Sequence, residues 1–198
     1  MAIKTTITSG DYKLRPLVLG DFMFIAECMS DFPIGHQWNM SGVMREMDVM
    51  LLANSLFDTD RTADVNSPQG FAHVLEYNDT PVGFRYAVFE DNIAELRMQA
   101  ISPAHRGNKY ATALGMIQAY WMVNTLSITS AFAWAIDEAK VAAHATNWTS
   151  AKTVDEEMSK SERPGTQRNM FKYAWTPAEW TAVKDAHSTW GSASFTVS

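Results

Sequence analysis

The chain has 198 residues, 46% of them hydrophobic and 19% charged, so it is long enough for one domain with a sizeable core and too apolar for wholesale disorder. Its formal net charge of −6, from 16 Lys and Arg against 22 Asp and Glu, argues against a broad basic face for nucleic acid but leaves room for a local basic pocket. The single cysteine, Cys28, excludes an intramolecular disulfide and a Cys-rich metal site, and in "FIAECMSDF" it reads as a small buried apolar residue, not a nucleophile.

The N-terminal "MAIKTTITSGDYKLRP" carries no apolar signal core and no apolar run reaches bilayer length, so a cytoplasmic location without a membrane partner is expected. From Tyr12, "YKLRPLVLGD" alternates as a strand does and ends at a turn. Asp21 is placed to cap the helical pattern "FMFIAECMSDF", and "SGVMREMDVMLLANS" reads as a second helix. The methionines of this region (Met23, Met29, Met40, Met44, Met47, Met50) read as adaptable core. Three strand-like runs follow, "GFAHVLEY", "VGFRYAVF" and "IAELRMQAIS", joined by the turn signals "NDTP" and "EDN" into an antiparallel meander. Then come a helix, "ATALGMIQAYWMVNTL", a strand, "AFAWAI", and a helix, "EAKVAAHATNW", capped by Asp137. "KTVDEEMS" and "RNMFKYAW" flank the turn-rich "KSERPGTQ" as a hairpin, and "TPAE" opens a helix with Thr176 as cap, proline first and glutamate third. After "AEWTAVKDAH" a polar tail is expected to fray. The order β-α-α-β-β-β-α-β-α-β-β-α implies an α/β fold, a mixed sheet with helices on both faces. A single domain is expected over residues 1–198, with its core at about 12–176 and a C-terminal helix and tail at 177–198.

"ISPAHRGNKYATALG", residues 101–115, passes from strand to helix through small, polar and basic side chains. A helix N-terminus presents unpaired N–H groups and a partial positive charge, and a loop closing on a pyrophosphate needs small residues tolerant of positive φ. Gly107, Asn108 and Ala111 meet that need, while Arg106 and Lys109 add charge. An ordinary strand-to-helix connection with solvated cations is the alternative reading of the same residues.

Arg106-Gly107-Asn108-Lys109-Tyr110-Ala111 resembles motif A of the GNAT superfamily of N-acetyltransferases, Arg/Gln-x-x-Gly-x-Gly/Ala. "AISPAHRG" is similar to the strand end before that motif and "ATAL" to the helix start after it, and the element order is similar from Tyr12 to about Trp175. The resemblance implies a GNAT-like, mostly antiparallel sheet with one splayed parallel strand pair, here "IAELRMQAIS" and "AFAWAI". It implies acetyl-CoA as cosubstrate in that opening, its pantetheine amides against the backbone of Gln99, Ala100 and Ile101 and its pyrophosphate on residues Arg106 to Ala111. One strand N–H would steady the tetrahedral oxyanion. Lys109 stands where the family usually has glycine, and "DEAKVAAHATNW" departs from the family's Asn…Tyr…Gly-Phe signature, with Asp137 near the Asn and His144 near the Tyr.

Glu95, in an "AEL" setting similar to that of family members acting on lysine, is implied as the base that frees the amine; Arg97, on the same strand face, would instead make it structural by pairing with it. His144 is implied as the acid, with Tyr110 and Tyr173 behind it. His36, His73, His105 and His187 have no ligand-like spacing, and no metal is expected. The implied activity is direct acetyl transfer in a ternary complex to a primary amine, on a small molecule or on a protein lysine or N-terminus. A catalytically inactive GNAT-like binding or structural protein is the alternative, a nucleic-acid acceptor is disfavoured by charge, and a homodimer is left open.

Overall fold

Two tight turns set the middle of the structure. Asn78, Asp79, Asp91 and Asn92 take φ of 49°, 60°, 50° and 61°, as two-residue hairpins matching the strand twist require and as Asn and Asp tolerate best. The computed structural model describes residues 5–29, 69–135, 152–163 and 166–198. In it these turns join β3 (Gln69–Tyr77), β4 (Thr80–Glu90) and β5 (Ile93–Ile101) into the expected meander. β1 (Ile7–Ser9) and β2 (Tyr12–Pro16) extend it on one side. On the other, β6 (Ser130–Ala135) lies parallel to β5, and β8 (Thr166–Trp175) links it to β7 (Lys152–Arg163). With β9 (Thr196–Val197) the order is β7-β8-β6-β5-β4-β3-β2-β1-β9, and β5–β6 is the one parallel pair among the described residues.

Helices cover both faces. α1 (Phe22–Met29) closes a core of Ala72, Val74, Phe84 and Ala100; α2 (Tyr110–Asn124) closes a larger one with Phe71, Leu75, Phe89, Ala94 and Leu96. α2 buries residues 113–119 and also Trp121 and Met122, being sandwiched between the sheet and α3 (Pro177–Ala186) with the tail. Each large apolar side chain so buried contributes about 1.5–3 kcal/mol. α3 starts at a capping box: Glu179 N–H donates to Thr176 Oγ1 at 3.3 Å and Thr176 N–H to the Glu179 carboxylate at 2.9 Å. Such a cap is worth about 1 kcal/mol. Asp21 also caps, but a turn earlier than expected, closing the 3-10 turn Leu19–Asp21 by accepting Val18 N–H at 2.8 Å. Arg15 grips its carboxylate at 2.7 and 2.8 Å and reaches Glu76 at 2.6 Å, tying the start of α1 to β2 and β3.

The tail departs from expectation. It is folded: Trp190 is buried, Phe195 stacks on Tyr120 at 4.2 Å and 11°, and Thr6 and Ser198 exchange backbone hydrogen bonds of 2.8 and 2.9 Å. Two aromatic rings give a polar segment enough apolar surface to dock. Cys28 is buried, and desolvation pushes its thiol up to about 12, as suits a core residue. Met29 is likewise core, whereas Met23 is exposed. The second helix read at "SGVMREMDVMLLANS" and the helix read at "EAKVAAHATNW" lie outside the described residues. Among the described residues no helix is long and apolar enough to cross a membrane.

His73 is buried beneath α2, its ring edge-on to Trp121 at 4.5 Å and its Nδ1 3.4 Å from Gln118 Nε2. Burial pushes its pKa from 6.5 down to about 3. The native protein therefore keeps His73 neutral where the unfolded chain takes up a proton, so this stability is complete above pH 6.5 and lost as pH falls below it. Between pH 6.5 and 5.5 the expected loss from His73 is about 1 kcal/mol. Urea unfolding of wild type and His73→Gln at both values checks it: the variant should be less pH-sensitive by that amount, and equal sensitivity would contradict the burial account.

Candidate active site

β5 and β6 pair only over Ile93–Leu96 and Ser130–Ala133, yet β5 runs on to Ile101 against β4. The two parallel strands therefore part after Leu96 and Ala133. A bulge marks the same place. The β4 register changes from Leu96 opposite Ala87 to Gln99 opposite Arg85, so Arg97 and Met98 together oppose Tyr86. An extra residue bends the strand and exchanges its faces. Accordingly Ala94 and Leu96 join the α2 core while Ala100 joins the α1 core.

Beyond the bulge, Ser102 N–H donates to Val82 C=O at 3.0 Å. Alternation then turns the backbone of Ala100 to β4 as well, and that of Gln99 and Ile101 to the gap. Ile101 C=O does accept from that side, from Arg106 Nε at 3.2 Å. Of the three residues expected beside the pantetheine, Gln99 and Ile101 turn their backbone to the gap and Ala100 turns its own to β4.

The loop turns tightly from the strand end into α2. Residues Pro103–His105 form a 3-10 turn, and Asn108 Nδ2 donates to His105 C=O at 3.2 Å. Gly107 has φ 86° and Lys109 has φ 61°, ψ 16°. Lysine at a left-handed position costs about 1 kcal/mol, which is why glycine is the expected occupant. Lys109 C=O accepts from Thr112 and Ala113 at 3.0 and 3.2 Å, and no side chain caps α2. The N–H groups of Tyr110 and Ala111, in the first turn, have no intrahelical acceptor. They face a setting that suits an anion.

Strand end, loop and helix start enclose a cleft of about 410 Å³ lined by Gln99, Ala100, Ile101, His105, Arg106, Gly107, Lys109, Tyr110 and Ala111. Of the nine residues expected around the cofactor only Asn108 is missing from the wall, because its amide closes the turn. His105 is the addition. Its signal in the sequence was its place beside Arg106, not any spacing to another histidine.

Glu95 lies in register with Phe132, one residue before the strands part. Arg97 Nε and Nη2 both donate to its Oε2, at 2.9 and 2.7 Å, with the two side chains 49% and 27% exposed for Arg97 and Glu95. The ion pair anticipated as the structural alternative thus forms, and it leaves Oε1 unengaged among the described residues. Ser102 Oγ donates to Glu27 at 2.6 Å and ties α1 to the end of β5. Tyr173 on β8 is in register with Ala133, the last β6 residue before the gap. His144 lies outside the described residues. Among those described, no three His, Cys, Asp or Glu side chains come together to hold a metal.

A parallel strand pair thus opens beside a basic loop and a helix start with no side-chain cap. A family model described as "Acetyltransferase (GNAT) family" matches residues 42–146, more than half of the sequence, and the chain belongs to that family. The spermidine N-acetyltransferase from Vibrio cholerae in complex with CoA and spermine is similar in structure, with a TM-score of 0.69 over 86% of this chain and 98% of that one, at 16% identity. A GNAT-family acetyltransferase from Bacillus anthracis gives 0.69 over 87% and 99%, at 14% identity. At such identities the likeness shows the fold. A search of curated proteins found no match.

Proposed function

We propose that the protein transfers the acetyl group of acetyl-CoA directly to a primary amine, both being bound at once. The observation that carries this is the coincidence of the strand splay after Leu96 with a single cleft walled by strand edge, basic loop and helix start. The residues fit the cosubstrate: the strand edge at Gln99 and Ile101 offers donors and acceptors to amides, and the N–H groups of Tyr110 and Ala111, with Arg106 and Lys109, offer positive potential to a pyrophosphate. When bound, acetyl-CoA supplies an activated thioester. Glu95 Oε1, at the parting of the strands, takes the proton of the attacking ammonium, directly or through water. The N–H of Gln99 or Ile101 steadies the oxyanion, His144 gives a proton to the sulfur as its bond to carbon breaks, and the second proton of the nitrogen leaves to solvent as the amide forms. The net charge of −6 suits a cationic acceptor.

The test is thiol release from acetyl-CoA over polyamines, other small amines, lysine-containing peptides, peptides with free N-termini and nucleosides, beside calorimetric CoA binding. Absence of CoA binding refutes the proposal. Binding without thiol release across the panel favours the second reading, a CoA-binding protein without catalysis, which the Glu95–Arg97 pair and the strained Lys109 support.

Lys109 is exposed and has no ion pair among the described residues, so its charge is available to phosphate. Lys109→Gly is expected to relieve the backbone strain yet weaken CoA binding about threefold and flatten its salt dependence. Calorimetry at two salt concentrations checks this. Tighter binding by the variant would leave Lys109 a tolerated departure and remove it from phosphate recognition.

A further inference from the structure

The folded tail and the loop are joined by an unbroken run of rings. Tyr110, first residue of α2 and part of the cleft wall, meets His105 at 6.2 Å on the loop side, and Tyr77 and Tyr12 at 5.4 and 6.3 Å on the other. Tyr12 and Tyr77 lie 5.1 Å apart, and Tyr12 packs on Trp190 at 5.6 Å. Trp190, 4% exposed, continues to Phe195 at 6.2 Å, and Phe195 stacks on Tyr120 in the middle of α2. The tail therefore engages α2 twice, at mid-helix through Phe195 and at its first residue through Trp190 and Tyr12. Its path is specified by the backbone as well. A Cβ on Gly191 would stand 2.6 Å from Asp185 C=O and 3.0 Å from His187 C=O, so the chain turns there only as glycine. β9 then pairs with β1, the strand before the one that carries Tyr12.

We propose that the tail from Trp190 to Ser198 positions the start of α2 for CoA, with Trp190 a positioning residue that acts through Tyr12 on Tyr110. This rests on the CoA reading of the cleft. Lys109 holds a left-handed conformation that lysine disfavours, immediately before the first two residues of α2, both of which line the cleft. Such a conformation persists only where surrounding packing over-determines it. Tilted and edge-on rings supply that packing, since aromatic pairs have a preferred geometry. Without the tail the Tyr12–Tyr77–Tyr110 cluster loses its outer wall, and the first turn of α2 is free to relax away from the anion-binding arrangement.

The experiment begins with calorimetric binding of CoA to the wild-type protein; no binding refutes the cleft assignment and this proposal together. With binding established, hydrogen exchange of the wild-type protein with and without CoA decides the proposal separately. If a docked tail favours CoA, CoA must favour the docked tail by the same factor. Exchange at Gly191, Ala193 and Ser198, whose N–H groups donate to His187, Trp190 and Thr6, is expected to slow about tenfold at saturating CoA. Unchanged exchange there overturns the proposal while leaving the cleft assignment standing. Trp190→Ala should raise the CoA Kd about tenfold and Trp190→Phe should restore most of the affinity, a recovery that loss of folding alone would not show. If Trp190→Ala fails to fold, Gly191→Ala displaces the tail's turn without removing a ring and is read the same way. Wild-type affinity in a folded variant of either kind overturns the proposal.

Discussion

Glu95→Gln is expected to lower kcat on the order of a hundredfold while CoA affinity stays within about twofold of wild type. Glutamine keeps the shape of the side chain and an acceptor for Arg97, but it cannot take a proton from an ammonium. Glu95 is 27% exposed and Arg97 49%, so losing the ionic partner leaves the guanidinium in reach of water and should cost little stability, as exposed pairs generally do. If the pair is only structural, Glu95→Gln and Arg97→Met will each lower the melting temperature, and the double variant will be less damaged than their sum. A folded Glu95→Gln enzyme with wild-type turnover removes Glu95 from the chemistry and leaves the amine to ionise in solvent.

Ala111→Asp is expected to weaken CoA binding tenfold or more, about 1.4 kcal/mol, with the fold intact. Ala111 is exposed at the second position of α2 and lines the cleft. A carboxylate there interacts favourably with the helix dipole and with the free N–H groups of the first turn, so α2 should gain, not lose, helical stability. For the same reason it occupies the groups a pyrophosphate would use and repels it besides. Calorimetry on a variant whose melting is as cooperative as wild type gives the answer. Wild-type affinity would show that the loop does not hold the phosphates.

The local devices of this protein are written in its sequence because each is satisfied by neighbours along the chain. "NDTP" and "EDN" specify two hairpins and "TPAE" a capping box, since backbone sterics and short hydrogen bonds need no distant partner. The same locality placed Glu95 and Arg97 on one strand face, and they do meet. What alternation in "IAELRMQAIS" could not show is the bulge at Arg97–Met98, because two residues oppose one only when β4 is in register alongside. That bulge decides which backbone groups of residues 99–101 face the gap and which core receives Ala100. The docking of the tail is likewise a tertiary decision. "HSTWGSASFTVS" reads as polar and fraying, and Trp190 and Phe195 gain a place only from Tyr12 and Tyr120, which are remote in sequence. Sequence alone thus determined the central meander, the helix and strand that follow it, the later hairpin, the last capped helix and the residue types of the loop; the tertiary structure decided strand register, the opening of β5 from β6 and the anchoring of the tail, because each depends on contacts between segments whose meeting no local preference encodes.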